Sequence, residues 1–134
     1  MCGIFSIIND NLDFSFLKNE FNKGKHRGPE NSSISLVSIN TIFGFHRLAI
    51  NGLDDISNQP ITVDNVILIC NGEIYNYKEL YKLMNIVPTT NSDCEVIIHL
   101  YLKYEFVKHL ECWMGSLLLY CVTIEYMLRQ KHTN

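Results

Sequence analysis

The sequence predicts a single domain of the α+β class, and two patterns support this. Four apolar segments have the length and the flanking turn residues of β-strands, and they cover residues 2–8, 33–39, 41–50 and 66–70. Three further segments, which begin near residues 12, 76 and 92, space their apolar residues as an amphipathic helix does. A chain of 134 residues with 47% hydrophobic and 19% charged residues is long and apolar enough to bury one core.

The composition argues against several classes of partner. A formal net charge of −3 without a run of lysine or arginine gives no reason to expect nucleic acid or a membrane as a partner. The five cysteines are odd in number and form no Cys-x-x-Cys pair, so neither a disulfide framework nor a metal site is expected. Scattered cysteines favour a reducing compartment. Because we find no secretory signal and no apolar run long enough to span a bilayer, the sequence predicts a cytoplasmic protein.

The first strand and the first helix are predicted on either side of a polar turn. Residues 2–8 have the pattern of a buried strand, which ends at the turn-rich residues 9–11. A helix is predicted over residues 12–23, and Gly24 ends it. Its apolar stripe consists of Phe14, Leu17 and Phe21.

Two strands are predicted after a loop. Residues 26–30, with the sequence His-Arg-Gly-Pro-Glu, are predicted to be a loop because Gly-Pro breaks regular structure. Residues 33–39 have apolar side chains on both faces, which predicts a strand buried on both faces or nearly so. Residues 41–50 are predicted to pair with that strand, since consecutive strands usually pair.

A third strand and a turn are predicted after a polar connection. Residues 51–60 form the connection and end in Gln59-Pro60. The apolar residues 66–70 then run into Asn71-Gly72, which is a strong turn signal.

Two helices are predicted in the remaining part of the chain. Asn76 can cap a helix that carries Leu80, Leu83 and Met84. The segment 92–95, Ser-Asp-Cys-Glu, has the Ser-x-x-Glu spacing of a capping box and predicts the start of a second helix. We interpret Met84, Tyr101 and Tyr104 as core or interface residues.

Cys2 stands out because of its position in the chain. If Met1 is removed, which a small second residue permits, Cys2 carries a thiol and a free α-amino group. Such an amine has an ordinary pKa of about 7.7–8.0, so at neutral pH it can accept the thiol proton, directly or through a water. One residue would then supply the nucleophile and the general base, as N-terminal threonines do. The alternative is that Cys2 is an ordinary buried residue.

A series of short motifs resembles the glutamine-hydrolysing domain of asparagine synthetase, a class II amidotransferase of the N-terminal-nucleophile (Ntn) hydrolase superfamily. The motifs are MCGIF at 1–5, HRGPE at 26–30, GFHRLAI at 44–50, QP at 59–60, CNGEIYN at 70–76 and SDCEVI at 92–97. Each motif alone is weak, whereas the ordered set is highly specific. The CNGEIYN and SDCEV motifs resemble asparagine synthetase in particular, rather than the relatives that aminate sugar phosphates or phosphoribosyl pyrophosphate. The resemblance implies an αββα sandwich of two antiparallel sheets flanked by helices.

The resemblance implies a role for each residue of the catalytic group. Cys2 would be the nucleophile. Asn71 and Gly72 would form an oxyanion hole, in which a side-chain amide and a backbone N–H face the developing negative charge. The alternative for Asn71-Gly72 is a simple hairpin turn. Arg27 resembles a structural arginine near the nucleophile.

The resemblance also implies which residues bind glutamine. Arg47 offers a planar fork for the α-carboxylate, which a lysine would hold less specifically. Asp93 and Glu73 would hold the α-ammonium group. The other residues implied at the pocket are Leu48, Ala49, Ile50, Asn51, Asn71 and Gly72. The alternative for Arg47 is a salt-bridged strand arginine. For Asp93 it is a carboxylate that stabilises a helix start, and for Glu73 a solvated carboxylate in a turn. For residues 48–50 it is an ordinary core strand.

By resemblance, Cys2 would attack the side-chain amide of glutamine. Ammonia would leave, and water would hydrolyse the γ-glutamyl thioester to glutamate. In a complete asparagine synthetase, the ammonia travels to a second domain that adenylates aspartate with ATP. This chain has no Gly-rich phosphate loop, so no cofactor is expected in it, and ATP and Mg²⁺ are expected only for the synthetase domain. The expected partners are glutamine and a synthetase domain or subunit.

The family pattern stops near Cys112, which divides the chain into an amidotransferase domain at residues 1–112 and a divergent tail at residues 113–134. The family continues with a Leu-Asp-Gly-x-Phe-Ala-Phe-like strand, whereas this chain continues with Trp-Met-Gly. Because tryptophan and methionine each have one codon, reading each codon one base earlier gives Leu-Asp-Gly. We therefore hypothesise a frameshift between Cys112 and Trp113, which leaves an out-of-frame tail and a truncated domain.

Two alternatives to an active glutaminase stay open at this point. The chain could be a non-catalytic truncated remnant or a glutamine-binding fragment, or it could be a short glutamine-sensing or docking module. Glutaminase activity after removal of Met1 separates these alternatives from the enzyme.

Overall fold

Two antiparallel sheets form the framework of the fold in the computed structural model, which describes residues 2–8, 13–104 and 115–123. Sheet A has the strand order β1-β3-β2, and sheet B has the order β4-β5-β6. The strands are β1 (Gly3–Ile8), β2 (Asn31–Ser38), β3 (Thr41–Arg47), β4 (Ile61–Val63), β5 (Val66–Ile74) and β6 (Gly115–Thr123). The helices are α1 (Phe14–Asn22), α2 (Tyr77–Met84) and α3 (Val96–Tyr104).

These elements confirm the predicted α+β class with two antiparallel sheets. The αββα layer order itself stays a prediction. Short 3₁₀ turns at Lys25–Arg27, Asp55–Ser57 and Asp93–Glu95 connect the main elements. No helix in the described ranges is long and apolar enough to cross a membrane.

Sheet A is covered by α1, and β3 is its central strand. Phe21 of α1 packs edge-on against Phe5 of β1, with ring centroids 5.8 Å apart. Gly44 of β3 makes room for this helix, because a Cβ at that position would lie 2.7 Å from the Phe21 ring. Leu17 and Phe21 are buried as the predicted stripe requires, whereas Phe14, at the helix start, is 47% exposed. The predicted stripe is therefore correct for its last two members only.

The predicted burial of the second strand on both faces is wrong. β2 pairs with β3 as expected, with Ile34 opposite Gly44, but it lies at the edge of the described sheet. No residue of β2 is fully buried, and Leu36 is 63% exposed. The apolar pattern of this strand records β-propensity rather than burial.

Sheet B and the helices α2 and α3 enclose the main hydrophobic core. Its buried members come from β4, β5 and both helices, and they include Leu68, Ile74, Leu80, Met84, Ile97 and Leu100. Tyr101 and Tyr104 pack against this core, so their predicted role is confirmed together with that of Met84. The predicted helix carries Leu80, Leu83 and Met84 as expected; Leu83 is 72% exposed, and Tyr81 is the third buried residue of α2 beside Leu80 and Met84.

The turn predicted at Asn71-Gly72 is absent, because β5 continues straight through these residues. Asn71 pairs with Leu118 of β6, and Gly72 pairs with Leu117. The pairing holds both residues extended, whereas a two-residue hairpin turn needs residues at positive φ. The hairpin lies earlier, between β4 and β5, where Asp64 has a φ of 52°.

The helix start predicted at segment 92–95 is confirmed, but half of the predicted capping box is wrong. The Ser92 hydroxyl accepts a hydrogen bond from the N–H of Cys94 at 3.2 Å. Glu95 does not return to the Ser92 N–H, which donates to the Thr90 hydroxyl instead. The Glu95 carboxylate accepts from the backbone N–H groups of Thr89 and Thr90, at 2.8 and 2.6 Å. It therefore fixes the loop that leads into α3.

Candidate functional site

Cys2 is held at the end of β3 by the pairing of the first strand. Gly3 is opposite His46 in the antiparallel register, so the chain before Gly3 continues alongside the residues that follow β3. The Cys2 thiol donates to the carbonyl oxygen of Leu48 at 3.4 Å and accepts from the Leu48 N–H at 3.3 Å. The exposed Arg27 side chain donates from Nε to the Cys2 carbonyl oxygen at 3.4 Å. Two backbone contacts and one arginine thus fix the position of this residue.

A cavity beside Cys2 brings together most of the residues that the sequence singled out. Its lining includes Cys2, Arg47, Leu48, Ile50, Asn51, Asn71, Gly72, Glu73 and Asp93. Ala49 is not part of this lining, and its N–H donates to the carboxylate of Glu30 at 3.2 Å. Arg27 lines a second cavity, which Cys2 and Asn71 also border. Cys2 and Asn71 therefore lie between the two cavities.

The guanidinium group of Arg47 is buried and is held by the loop that follows β3. Nη1 donates to the carbonyl oxygen of Asp54 at 2.9 Å and to the side-chain oxygen of Asn58 at 2.6 Å. Nη2 donates to the carbonyl oxygen of Gly52, a residue whose φ of +60° suits glycine. A guanidinium has five N–H donors, and these three contacts use three of them. Two N–H groups remain, and a pair of such donors suits a carboxylate.

Two carboxylates face the same cavity, and an amide side chain lies between them. The Asn51 side chain donates to Glu73 at 3.2 Å and also contacts Asp93. Asp93 is buried, and its Oδ2 accepts from the N–H of Ile74 at 2.7 Å. Burial raises the pKa of Asp93, and the nearby charge of Glu73 acts in the same direction. A cation close to these carboxylates would favour their charged forms and so offset both effects.

The edge of β5 directs backbone N–H groups toward the cavity. Residues two apart on a strand point their N–H groups to the same side, so Cys70, Gly72 and Ile74 form one row. The Cys70 N–H donates to the side-chain oxygen of Gln59 at 2.6 Å, and the Ile74 N–H donates to Asp93. Gly72 lies between these two residues and lines the cavity. The Gly72 N–H therefore lies on the side of β5 that carries the contacts to Gln59 and Asp93.

Two other cysteines line the cavity, but their surroundings oppose nucleophilic chemistry. Cys70 and Cys94 are both buried free thiols. A hydrogen bond with the Cys70 thiol, together with burial, raises the pKa of the Cys94 thiol well above its ordinary range. Since the thiolate is the reactive form, Cys94 is a poor nucleophile at neutral pH.

The histidine near Cys2 has a structural role. His46 is buried and stacks on Phe21, with ring centroids 3.9 Å apart. Its Nε2 lies 2.8 Å from the carbonyl oxygen of Phe21, so Nε2 carries a proton, and its Nδ1 lies 2.8 Å from the Ser32 hydroxyl. Because the protein occupies both ring nitrogens, His46 is unsuited to take a proton from Cys2.

The sequence did not indicate a role for two residues that support this site. Asn58 holds the guanidinium of Arg47, and Gln59 holds the N–H of Cys70. Asn58 had no signal beyond its place in a polar connection. Gln59 belonged to a motif, but a sequence gives no indication of which backbone group a glutamine side chain will contact.

Comparison with known proteins gives a consistent family assignment. Residues 1–121 match the family described as glutamine amidotransferase domain. A probable asparagine synthetase [glutamine-hydrolyzing] of Acanthamoeba polyphaga mimivirus is 38% identical over 108 residues, which cover 75% of this chain and 20% of the relative. Asparagine synthetase [glutamine-hydrolyzing] 2 of Bacillus subtilis is 39% identical over 110 residues, covering 75% of this chain and 14% of the relative.

A third relative extends the match slightly. A putative asparagine synthetase [glutamine-hydrolyzing] 2 of Methanocaldococcus jannaschii is 36% identical over 129 residues, covering 79% of this chain and 25% of the relative. The matched region therefore spans a quarter or less of the length of each of these relatives. The family that the motifs indicated is confirmed.

Proposed function

We propose, because this chain belongs to the glutamine amidotransferase domain family, that it releases ammonia from the side-chain amide of glutamine. One observation carries the proposal: Cys2 lines the same cavity as Arg47, Glu73 and Asp93. A thiol, a guanidinium edge and a pair of carboxylates match the side-chain amide, the α-carboxylate and the α-ammonium group of glutamine. The cavity thus offers one complementary group for each functional group of the substrate.

The proposed reaction begins at Cys2 after removal of Met1. Both ring nitrogens of His46 are hydrogen-bonded, to the Phe21 carbonyl oxygen and to the Ser32 hydroxyl. The α-amine of Cys2 is therefore the base that takes the thiol proton, directly or through a water. The sulfur forms a bond with the amide carbon of glutamine, and the carbonyl oxygen becomes negatively charged. The Asn71 amide and the Gly72 N–H stabilise that charge.

Collapse of this intermediate releases ammonia and leaves a γ-glutamyl thioester on Cys2. The proton held by the amine passes to the leaving nitrogen, so the amine is free again. Water then attacks the thioester, with the same amine accepting a proton, and glutamate leaves with the thiol restored. Throughout, the guanidinium edge of Arg47 holds the α-carboxylate, while Asp93 and Glu73 hold the α-ammonium group.

We propose that the ammonia serves asparagine synthesis from aspartate, as the names of the relatives suggest. A synthetase domain or subunit would consume it, and ATP and Mg²⁺ would belong to that part. The chain described here would supply the glutamine-hydrolysing half of such a system.

The test is glutamate release from glutamine by the wild-type protein and by single cysteine variants. Cys2→Ala should abolish the activity. Cys70→Ala and Cys94→Ala are matched controls, because both residues line the same cavity but neither has a free α-amine; they should retain activity. An equal loss in either control, with the fold intact by circular dichroism, would overturn the assignment of Cys2. Glutamine binding without hydrolysis by the wild-type protein would favour the glutamine-binding fragment instead.

A further inference from the structure

We propose that Gln59 is a positioning residue for the oxyanion hole: its side chain takes the place of a missing strand at the edge of β5 and so directs the N–H of Gly72 into the cavity. The inference rests on the proposed function, since it names a residue that makes the glutamine-hydrolysing site effective. It is carried by strand register, burial and three contacts of Gln59.

The edge of β5 loses its strand partner just before the site. β4 pairs with β5 from Val63 opposite Val66 to Ile61 opposite Leu68. Continuation of this register would place residue 59 opposite residue 70, but the carbonyl oxygen of Gln59 accepts from the Ser33 hydroxyl of β2 instead. The backbone pairing of β4 ends at Ile61, so without another partner the Cys70 N–H would be buried and unsatisfied.

The side chain of Gln59 supplies that partner. Its Oε1 accepts from the Cys70 N–H at 2.6 Å, and its Nε2 lies 3.5 Å from the Cys70 thiol. Both Gln59 and Cys70 are buried, with 7% and 1% of their surfaces exposed. One amide group thus holds the backbone and the side chain of the residue that directly precedes Asn71.

The backbone of Gln59 is itself fixed to the other sheet. Its carbonyl oxygen accepts a hydrogen bond from the Ser33 hydroxyl of β2 at 2.7 Å. Gln59 therefore connects sheet A, which positions Cys2, with the strand of sheet B that carries Asn71 and Gly72. The distance between the nucleophile and the oxyanion hole depends on such a connection.

The row of N–H groups along β5 explains why this connection matters for catalysis. Gln59 holds the N–H of Cys70 and Asp93 holds the N–H of Ile74, so the strand is fixed on both sides of Gly72. An oxyanion-hole donor is effective only when it is held in place before the charge develops. Loss of the Gln59 contact would leave the Gly72 N–H attached to the strand but less precisely directed.

The decisive variants are Gln59→Met and Gln59→Glu. Methionine has a similar length but accepts hydrogen bonds poorly, whereas glutamate keeps the oxygen that accepts from the Cys70 N–H. We expect Gln59→Met to lower kcat for glutamine hydrolysis roughly 10- to 100-fold, less than outright loss of an oxyanion-hole donor, with KM changed less than about threefold. Gln59→Glu should recover most of the kcat.

The neighbouring residue provides a matched control. Asn58→Leu removes a contact to Arg47 rather than to β5, so it should raise KM for glutamine more than it lowers kcat. A purely structural role for both residues would give the same pattern in both variants. A loss mainly in kcat for Gln59→Met, together with a rise mainly in KM for Asn58→Leu, would support the positioning role of Gln59.

A second measurement does not depend on activity. Amide hydrogen exchange at Cys70 should be faster in Gln59→Met than in the wild-type protein and near the wild-type rate in Gln59→Glu. A wild-type kcat in Gln59→Met, equal impairment of both variants, or unchanged Cys70 exchange would each overturn the inference. A wild-type protein without glutaminase activity would instead refute the proposed function, and Cys70 exchange would still decide whether Gln59 holds β5.

Discussion

The backbone N–H of Leu48 donates a hydrogen bond to the Sγ atom of Cys2 at 3.3 Å. Leu48 directly follows Arg47, and both residues line the cavity beside Cys2. Cys2 is thus held by the backbone of Leu48, whereas the neighbouring Arg47 is the residue that we propose to hold the α-carboxylate. Because the contact to Cys2 does not use the Arg47 side chain, a change in that side chain can alter substrate binding without moving Cys2.

Arg47→Lys should raise KM for glutamine more than it lowers kcat. The α-carboxylate is remote from the reacting amide, so its contact stabilises the ground state and the transition state alike. A charged hydrogen bond contributes roughly 1.5–3 kcal/mol, which corresponds to an increase in KM of about tenfold or more. Steady-state kinetics with glutamine measure both constants. An unchanged KM would return Arg47 to the alternative of a purely structural arginine.

Gly28→Ala should destabilise the fold and displace the loop of residues 26–30. A Cβ at Gly28 would overlap the backbone carbonyl group of His46, and backbone atoms of a central strand have little freedom to move. Overpacking of this kind costs about 1–3 kcal/mol or more. Gly24→Ala is the control, because its Cβ would meet the His46 ring at 3.2 Å, a tight but less severe contact. Urea unfolding of both variants measures the difference, and equal stability would contradict this account of Gly28.

Glu95→Gln should lower stability at neutral pH, and its effect should shrink in acid. Burial alone would raise the pKa of Glu95, but hydrogen bonds from Thr89, Thr90 and His99 outweigh burial and lower it. Glutamine keeps one acceptor oxygen and places an NH₂ against a backbone donor, so the expected loss is roughly 1.5–3 kcal/mol.

The sign of the pH dependence follows from this lowered pKa. Unfolded glutamate has a pKa of about 4.3, so the contribution of Glu95 is complete above that value and is lost as pH falls through the lower pKa of the folded state. The difference in the free energy of unfolding between wild type and Glu95→Gln should therefore decrease below a pH of about 4.3. A difference that stays constant from neutral pH into acid would contradict the assignment.

Local sequence patterns predicted where strands and helices lie better than they predicted how these elements pair and which of their residues are buried. The first strand, α1 and the start of α3 follow from apolar spacing and capping residues that act within a few positions. The prediction of a turn at Asn71-Gly72 failed because pairing with β6, distant in sequence, overrides a local turn preference. The predicted burial of Leu36 failed for a similar reason, since only the sheet order determines that its strand lies at an edge.

The motifs placed most of the candidate site, but they did not indicate the residues that support it. Cys2, Arg47 and Asp93 were identified by resemblance, and the structure places them around one cavity. Asn58 and Gln59 act through hydrogen bonds to partners on other segments. Such contacts depend on the folded geometry, and no spacing rule in the sequence predicts them.

The frameshift between Cys112 and Trp113 concerns the coding sequence and stays a prediction. The strand β6 lies within the predicted tail, and its backbone pairs with β5. Sequencing across codons 112 and 113 should reveal one missing or extra base, with Leu-Asp-Gly restored after Cys112. A confirmed reading of Trp-Met-Gly, with a stop codon immediately in the other frame, would refute the frameshift.

The most direct test of the central claim is mass analysis of the N-terminal peptide during turnover. The protein is mixed with glutamine, quenched in acid and digested, and the N-terminal peptide is compared with that of a sample without glutamine. The account predicts a peptide that begins at Cys2, without Met1, and that carries one γ-glutamyl group on its thiol only in the sample with glutamine. Glutamine hydrolysis by a protein that retains Met1, or a γ-glutamyl group on Cys70 or Cys94 instead, would contradict it.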